Sequence, residues 1–148
     1  MMPLFAYGTL RRTAWRRALL GADYTAQPAT LHGWERVALP RGYLSLRQAP
    51  QARTEGVLLV LDALGWRIAD AWEEVPVYRR VAVTVATETQ PRVRAQVYVC
   101  PAPFAPRADA QRDALLDDDA VDAAIAAFAP TMLALRAAQT VPMRRPSP

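Results

Sequence analysis

The sequence predicts an α+β fold, and three observations carry that reading. Short apolar runs suited to strands, at residues 4–7 and 55–61, each lead into a helical pattern. Two alternating segments, Tyr78–Thr87 and Arg92–Cys100, are joined by Gln90-Pro91 and read as an antiparallel hairpin. An alanine-rich helical pattern closes the chain, separated from the rest by Pro101, Pro103 and Pro106. These features divide the chain into a domain over residues 1–106 and a helical tail over 107–148 whose end is expected to be disordered.

The first strand, Leu4 to Tyr7, meets Gly8-Thr9, and a helix follows from Thr13 to Leu20. Thr13 suits its N-cap and Gly21 its C-terminal stop. Trp15, Leu19 and Ala18 form its expected inward face. Tyr24–Leu39 is extended but interrupted by Pro28 and Gly33, as in two short strands or one bent strand, with Trp34, Val37 and Leu39 in the core. Pro40-Arg41-Gly42 is a turn, Tyr43–Arg47 a short strand, and the polar Gln48–Thr54, with Pro50, a loop. Glu55–Leu61 is near-continuously apolar, typical of a strand buried on both faces. Asp62 caps a helix to Trp72, with Leu64, Ile68 and Trp72 on one stripe and Gly65 as its weak point. In the hairpin, Val81, Val83 and Val85 oppose Arg80, Ala82 and Thr84, while Val93, Ala95, Val97 and Val99 oppose Arg94, Gln96 and Tyr98. Asp117–Asp119 precede the last helix, where negative charge suits the N-terminus. Val121, Ile125, Phe128 and Met132 form its stripe, which Pro130 breaks or kinks. That stripe is expected to dock on the domain or on a second copy, as in a homodimer.

Composition narrows the function. At 148 residues the chain is long enough to bury a core. No uninterrupted apolar run approaches the roughly 20 residues of a membrane span. The opening residues lack the plan of a secretory leader, so a cytoplasmic protein without membrane attachment is expected. A lone cysteine, Cys100, excludes an internal disulfide and suits core packing better than a reactive thiol. The net charge of +4 rests entirely on arginine, since lysine is absent. Arg11-Arg12 and Arg16-Arg17 read as a solvated helix face; a nucleic-acid surface would spread its charge more widely and interleave aromatics.

The inventory of reactive groups is short. His32 stands without metal-ligand spacing around it, and neither Ser45 nor Ser147 sits in a nucleophile elbow. A carboxylate acting alone is left. Glu73 and Glu74 close the helix that begins at Asp62, where acids oppose the helix dipole. Two solvated surface glutamates would explain them blandly. Glu73, however, lies about 100° round from the buried stripe. That placement can set it on a pocket rim, where apolar surroundings raise its pKa toward the range useful for acid–base work. Separately, a strand–glycine–helix junction such as Phe5–Arg11 can offer unpaired N–H groups to an anionic oxygen, although many such turns only connect elements.

Taken together, these stretches resemble the gamma-glutamylcyclotransferase-like (AIG2-like) family. Phe5-Ala6-Tyr7-Gly8-Thr9-Leu10-Arg11 looks like the family's opening strand and glycine loop. Asp70, Glu73 and Tyr78-Arg79-Arg80 match its pattern of Asp, two residues, catalytic Glu, then Tyr-x-Arg. Gly33-Trp34, Gly42-Tyr43, Glu55-Gly56 and Tyr98 fit as well, so the resemblance spans residues 3 to 100 and leaves out the tail. It implies a mixed barrel of six or seven strands with helices outside, and a cavity between the first loop and Glu73. It further implies that the backbone of Tyr7, Gly8, Thr9 and Leu10 holds a gamma-glutamyl group, with Tyr78 and Tyr98 lining the site. Glu73 would take a proton from the substrate's α-amine, which attacks the γ-carbonyl and yields 5-oxoproline. No metal or cofactor is implied. Two departures stand out: Glu74 replaces the usual glycine, and Thr9-Leu10 replaces the Ser-Asn of some relatives. A barrel that binds a small metabolite or a protein partner without turnover is the alternative reading.

Overall fold

A computed structural model describes residues 2–39, 44–73, 78–100 and 117–140. The expected turn at Pro40–Gly42, Tyr43, Glu74, the proline linker and the terminal residues 142–148 lie outside the described residues.

Among the described residues, five strands form one mixed sheet: β1 (Leu4–Ala6), β2 (Ala26–Ala38), β3 (Leu44–Leu59), β4 (Arg79–Val85) and β5 (Val93–Val99). Their order across the sheet is β2-β3-β1-β5-β4, antiparallel except for the β1–β5 pair. The three-residue first strand therefore lies in the middle. Three α-helices of the described residues accompany the sheet: α1 (Thr13–Leu20), α2 (Ala63–Trp72) and α3 (Asp118–Thr140). The α+β class is as expected, but a closed barrel of six or seven strands is not. Among the described residues the sheet's edge strands share no ladder and meet through Thr30 and Ala86 alone, whose N–H and C=O groups exchange bonds of 2.8 and 2.9 Å.

The curl of the sheet separates two apolar clusters. On the inner face Phe5, Tyr7, Leu31, Leu46, Leu58, Val85 and Val97 pack strand against strand. On the outer face Leu4, Leu10, Leu19, Leu20, Leu59, Ile68 and Tyr98 pack against the helices. Alternation places β5 in both, with Ala95 and Val97 inward and Tyr98 outward. Gly56 is fixed by this packing, because a Cβ there would fall 2.4 Å from the Ala6 carbonyl and 2.7 Å from the Phe5 ring.

Several elements differ from expectation. β3 continues through Gln48–Thr54, which the polar composition marks as a loop. His32 pairs with Arg53 and Trp34 with Gln48, so the residues between them bulge opposite Gly33, whose φ is 84°. Pro50 falls in that bulge, where no ladder donor is needed. Thr13 does not cap α1: Arg12 holds the cap position without a side-chain bond, and a 3-10 turn over Thr9–Arg11 precedes it. Ala18 is exposed and Arg16 is buried in its place, its guanidinium donating to the Leu10 and Arg11 carbonyls. Gly21 does end the helix in the left-handed region, at φ 70°.

α3 runs through Pro130 without a break. Asp117 accepts the Ala120 N–H at 2.7 Å, as a capping acid should. Val121, Ile125 and Met132 are buried in the outer cluster, and Trp72 meets Phe128 edge-on. By length and composition alone Asp118–Ala138 could also cross a membrane, since alanine carries its mean hydropathy to 1.4.

Candidate active site

Helix α2 places the candidate acid. Asp62 starts it by accepting the Gly65 N–H at 2.7 Å and the Tyr24 hydroxyl at 2.9 Å. Gly65 has a reason beyond propensity: a Cβ there would stand 2.9 Å from the Tyr24 ring. Glu73 is the C-cap residue, its N–H still bonded to the Ala69 carbonyl at 2.9 Å. The final turn thus aims its side chain away from the Leu64–Ile68 stripe, as the helical spacing requires.

The neighbourhood of Glu73 is aromatic and acidic. Asp70, one turn earlier, accepts the Tyr98 hydroxyl at 2.5 Å and an Arg80 Nη2 bond at 2.6 Å. Arg80 in turn lies over the Trp66 ring, 4.8 Å from its centroid, and Trp66 sits 6.2 Å from Tyr98. Glu73 has no such company: among the described residues nothing donates to its carboxylate. Burial, reinforced by the Asp70 charge, pushes its carboxyl up to about 8. The family pattern of Asp, two residues, Glu and then Arg therefore becomes a physical unit. Arg80 and Tyr98 hold the first acid, and the first acid biases the second toward its protonated form.

Across from α2 stands the end of β1. The Tyr7 hydroxyl donates to the Tyr98 carbonyl at 2.6 Å, and the ring is buried. Burial raises its pKa well above that of a free phenol, and the charge of Glu73 adds to the shift. Tyr78, through its hydroxyl bond to the Leu44 carbonyl at 3.1 Å, ties the entry of β4 to the far end of the β2–β3 hairpin. The charge of Glu73 also reaches the Tyr98 phenol, whose pKa burial raises first of all. Glu73, Tyr7 and Tyr98 are thus brought within electrostatic reach, although 91 residues separate the two tyrosines. Ser45 is buried and accepts the Cys100 N–H at 3.0 Å, so both serve the strand junction.

The glycine loop is less strained than glycine allows. Gly8 has φ −117°, outside the left-handed region, so positive φ does not explain it. Nor does a close approach: a Cβ on Gly8 would meet nothing within 4 Å. Arg11 N–H donates to the Gly8 carbonyl at 3.0 Å and Arg12 N–H to the Thr9 carbonyl at 3.3 Å. The earlier N–H groups of such a turn have no acceptor within it. The Leu10 side chain, by contrast, is buried in the outer cluster, so only its backbone can serve a ligand.

One residue of this region has no part in the sequence-level pattern. Arg36 of β2 donates to the Glu55 carbonyl at 3.3 Å, and its Nε is buried without a partner. A cation on a strand whose neighbours Val37 and Ala38 are buried was the available signal. His32 is exposed on β2.

The comparisons with known proteins fit this geometry. The family described as gamma-glutamyl cyclotransferase, AIG2-like, matches residues 4–119. No curated protein matches the chain in sequence. A solved gamma-glutamyl cyclotransferase is similar in fold at 13% identity and a TM-score of 0.62, over 99% of this chain and 92% of that one. A protein from Arabidopsis thaliana is similar at 21% identity and a TM-score of 0.60, over 95% of this chain and 85% of that one. An uncharacterised protein from Homo sapiens is similar at 15% identity and a TM-score of 0.63, over 92% and 86%.

Proposed function

The chain belongs to the gamma-glutamyl cyclotransferase, AIG2-like family, and from that premise we propose that it cyclises a gamma-glutamyl amine or peptide, releasing 5-oxoproline and a free amine. The observation that carries the reading is Glu73: a half-buried residue whose carboxyl is desolvated and biased toward the neutral form, at a helix end, within electrostatic reach of the Tyr7 that opens the glycine loop. A merely structural acid would have partners like those of Asp70.

The chemistry needs orientation more than a protein nucleophile. The Tyr7–Leu10 backbone holds the gamma-glutamyl group, and Tyr78 and Tyr98 wall the site. The Glu73 carboxylate accepts a proton from the substrate's α-ammonium or amine. The freed nitrogen lone pair attacks the γ-carbonyl carbon and forms the five-membered ring. Loop N–H groups stabilise the oxyanion that results. Collapse breaks the bond from the γ-carbon to the leaving nitrogen, which takes the proton back from Glu73. Holding both reacting groups in one molecule removes most of the entropy cost of their encounter. A pKa near 8 leaves Glu73 able both to accept and to return a proton near neutral pH.

Incubation with a panel of gamma-glutamyl amines, scored by 5-oxoproline release, tests the reading. Turnover that vanishes in Glu73→Gln supports it. Full turnover in that variant would refute the mechanism, and no turnover of any member would favour a binding protein.

A further inference from the structure

We propose that Arg36 and Arg11 form a carboxylate clamp beside the glycine loop, taking a carboxylate of the gamma-glutamyl substrate. The proposal rests on the reading of the substrate given above and deepens it.

Strand register provides the placement. Ala6 pairs with Val57, so Glu55 and Gly56 of β3 run beside the point where β1 opens into Tyr7 and Gly8. Arg36 reaches this point from β2, with its Nη2 on the Glu55 carbonyl. Its guanidinium therefore stands beside the opening of the loop, within electrostatic reach of Tyr7 as well as Arg11. Nε is buried and donates to nothing, so one edge of the planar fork remains to be satisfied. Arg11, on the 3-10 turn of the same loop, is near enough for its charge to oppose that of Arg36.

Two like charges brought together, one of them partly desolvated, are unfavourable unless an anion lies between them. The neighbouring arginines show the contrast. Arg12 pairs with Asp118 at 2.9 Å and covers the Trp15 ring; Arg17 pairs with Asp23. Arg16 is spent on the Leu10 and Arg11 carbonyls. Among the described residues, no carboxylate forms an ion pair with Arg11 or Arg36. A guanidinium fork matches a carboxylate in two parallel bonds, and a second cation adds charge without demanding geometry. A gamma-glutamyl amino acid has two candidate groups, the α-carboxylate of its glutamyl head and the carboxylate of its leaving amine.

Calorimetry on the Glu73→Gln protein, where turnover does not interfere, separates these sources. Three probes serve: gamma-glutamyl-alanine, its analogue amidated on the alanine, and its analogue amidated on the glutamyl α-carboxylate. Adding Arg36→Gln should weaken binding of the diacid by about ten- to a hundredfold, the span of losing a charge-assisted bond. Arg11→Gln, at an exposed position, should cost less and lose its effect in high salt. One of the two amides should bind weakly from the start and be indifferent to Arg36→Gln, which identifies the carboxylate that the clamp holds. An unchanged affinity for the diacid, or an equal loss for all three probes, would overturn the proposal. If Arg36→Gln does not fold, Arg36→Lys and Arg11→Gln carry the same comparison. Native protein that binds the diacid through Arg36 yet cyclises nothing would sink the proposed reaction and leave the clamp standing.

Discussion

Helix α2 has a carboxylate at each end, and the fold treats the two in opposite ways. Asp62, at the N-terminus, accepts two hydrogen bonds and faces the positive end of the helix dipole. The Gly65 N–H bond, with the Tyr24 hydroxyl helping, lowers its pKa below the usual aspartate value. Glu73, at the C-terminus, faces the negative end, accepts nothing from the described residues and is pushed up to about 8 by burial. The first acid is where helix physics wants it, and its purpose is the helix. The second is held where helix physics resists it, and that cost supports the catalytic role proposed for Glu73.

Glu73→Gln should break this comparison most severely. It keeps shape and hydrogen-bonding capacity but cannot accept the amine proton, so 5-oxoproline release should fall by roughly 10²–10⁴-fold. Steady-state kinetics at saturating substrate would check it, and a loss within a factor of three would remove Glu73 from the chemistry.

The second expectation concerns pH. In the proposed mechanism the basic form of Glu73 begins the reaction, so kcat should rise toward alkaline pH with an acid limb near 8, below which the rate drops about tenfold per unit. Stability should move the other way. The folded pKa of Glu73 is raised, so its contribution is fully present below the unfolded value and is lost as pH rises through 8. Asp62 has a lowered folded pKa, so its contribution is present above its unfolded value and is lost as pH falls through the folded one. Thermal melts from pH 3 to 9 on Asp62→Asn and Glu73→Gln should show each variant flattening only its own side.

At neutral pH, Asp62→Ala should cost about 1 kcal/mol of unfolding free energy, as for other lost helix caps. Denaturant titration would measure this, and an unchanged midpoint would mean that Tyr24 and α3 hold the helix start without the cap. The smallest effect is assigned to Asp70→Asn, which removes the secondary cause of the Glu73 shift. It should move the acid limb of the rate toward lower pH. A limb that stays in place would assign the whole shift to burial.

Legibility in the sequence followed the range of the forces involved. The β4–β5 hairpin and helix α2 could be read because alternation and a four-residue stripe are local signals. Asp62 and Gly21 could be read because caps are local as well. Gln48–Thr54 could not, since its polar side chains say loop while Gln48, Arg53 and Thr54 pair with β2 on either side of the bulge. Arg16 is buried for its bonds to loop carbonyls, which no helical pattern reveals. At the candidate site, spaced motifs picked out Glu73, Tyr7 and Tyr98, which the structure brings within electrostatic reach of one another. Arg36 was not, because what sets it apart is an unpartnered nitrogen beside a loop 25 or more residues earlier in the chain.

The central place of β1 bears on how the protein is made. Leu4 pairs with Leu59 on one side and Gln96 on the other, and the Gln96 N–H is bonded to the Pro3 carbonyl. Of the described strands of this sheet β1 is made first, and it must therefore wait for β5, the last of them, before both its edges are satisfied. Until β5 emerges, Leu4–Ala6 has an open edge, and the Tyr7 hydroxyl lacks the Tyr98 carbonyl that anchors it. Pairings of such long sequence separation slow folding and leave the nascent chain exposed to misassociation. Synthesis must run almost to the end of the sheet before the tyrosine that opens the glycine loop is anchored.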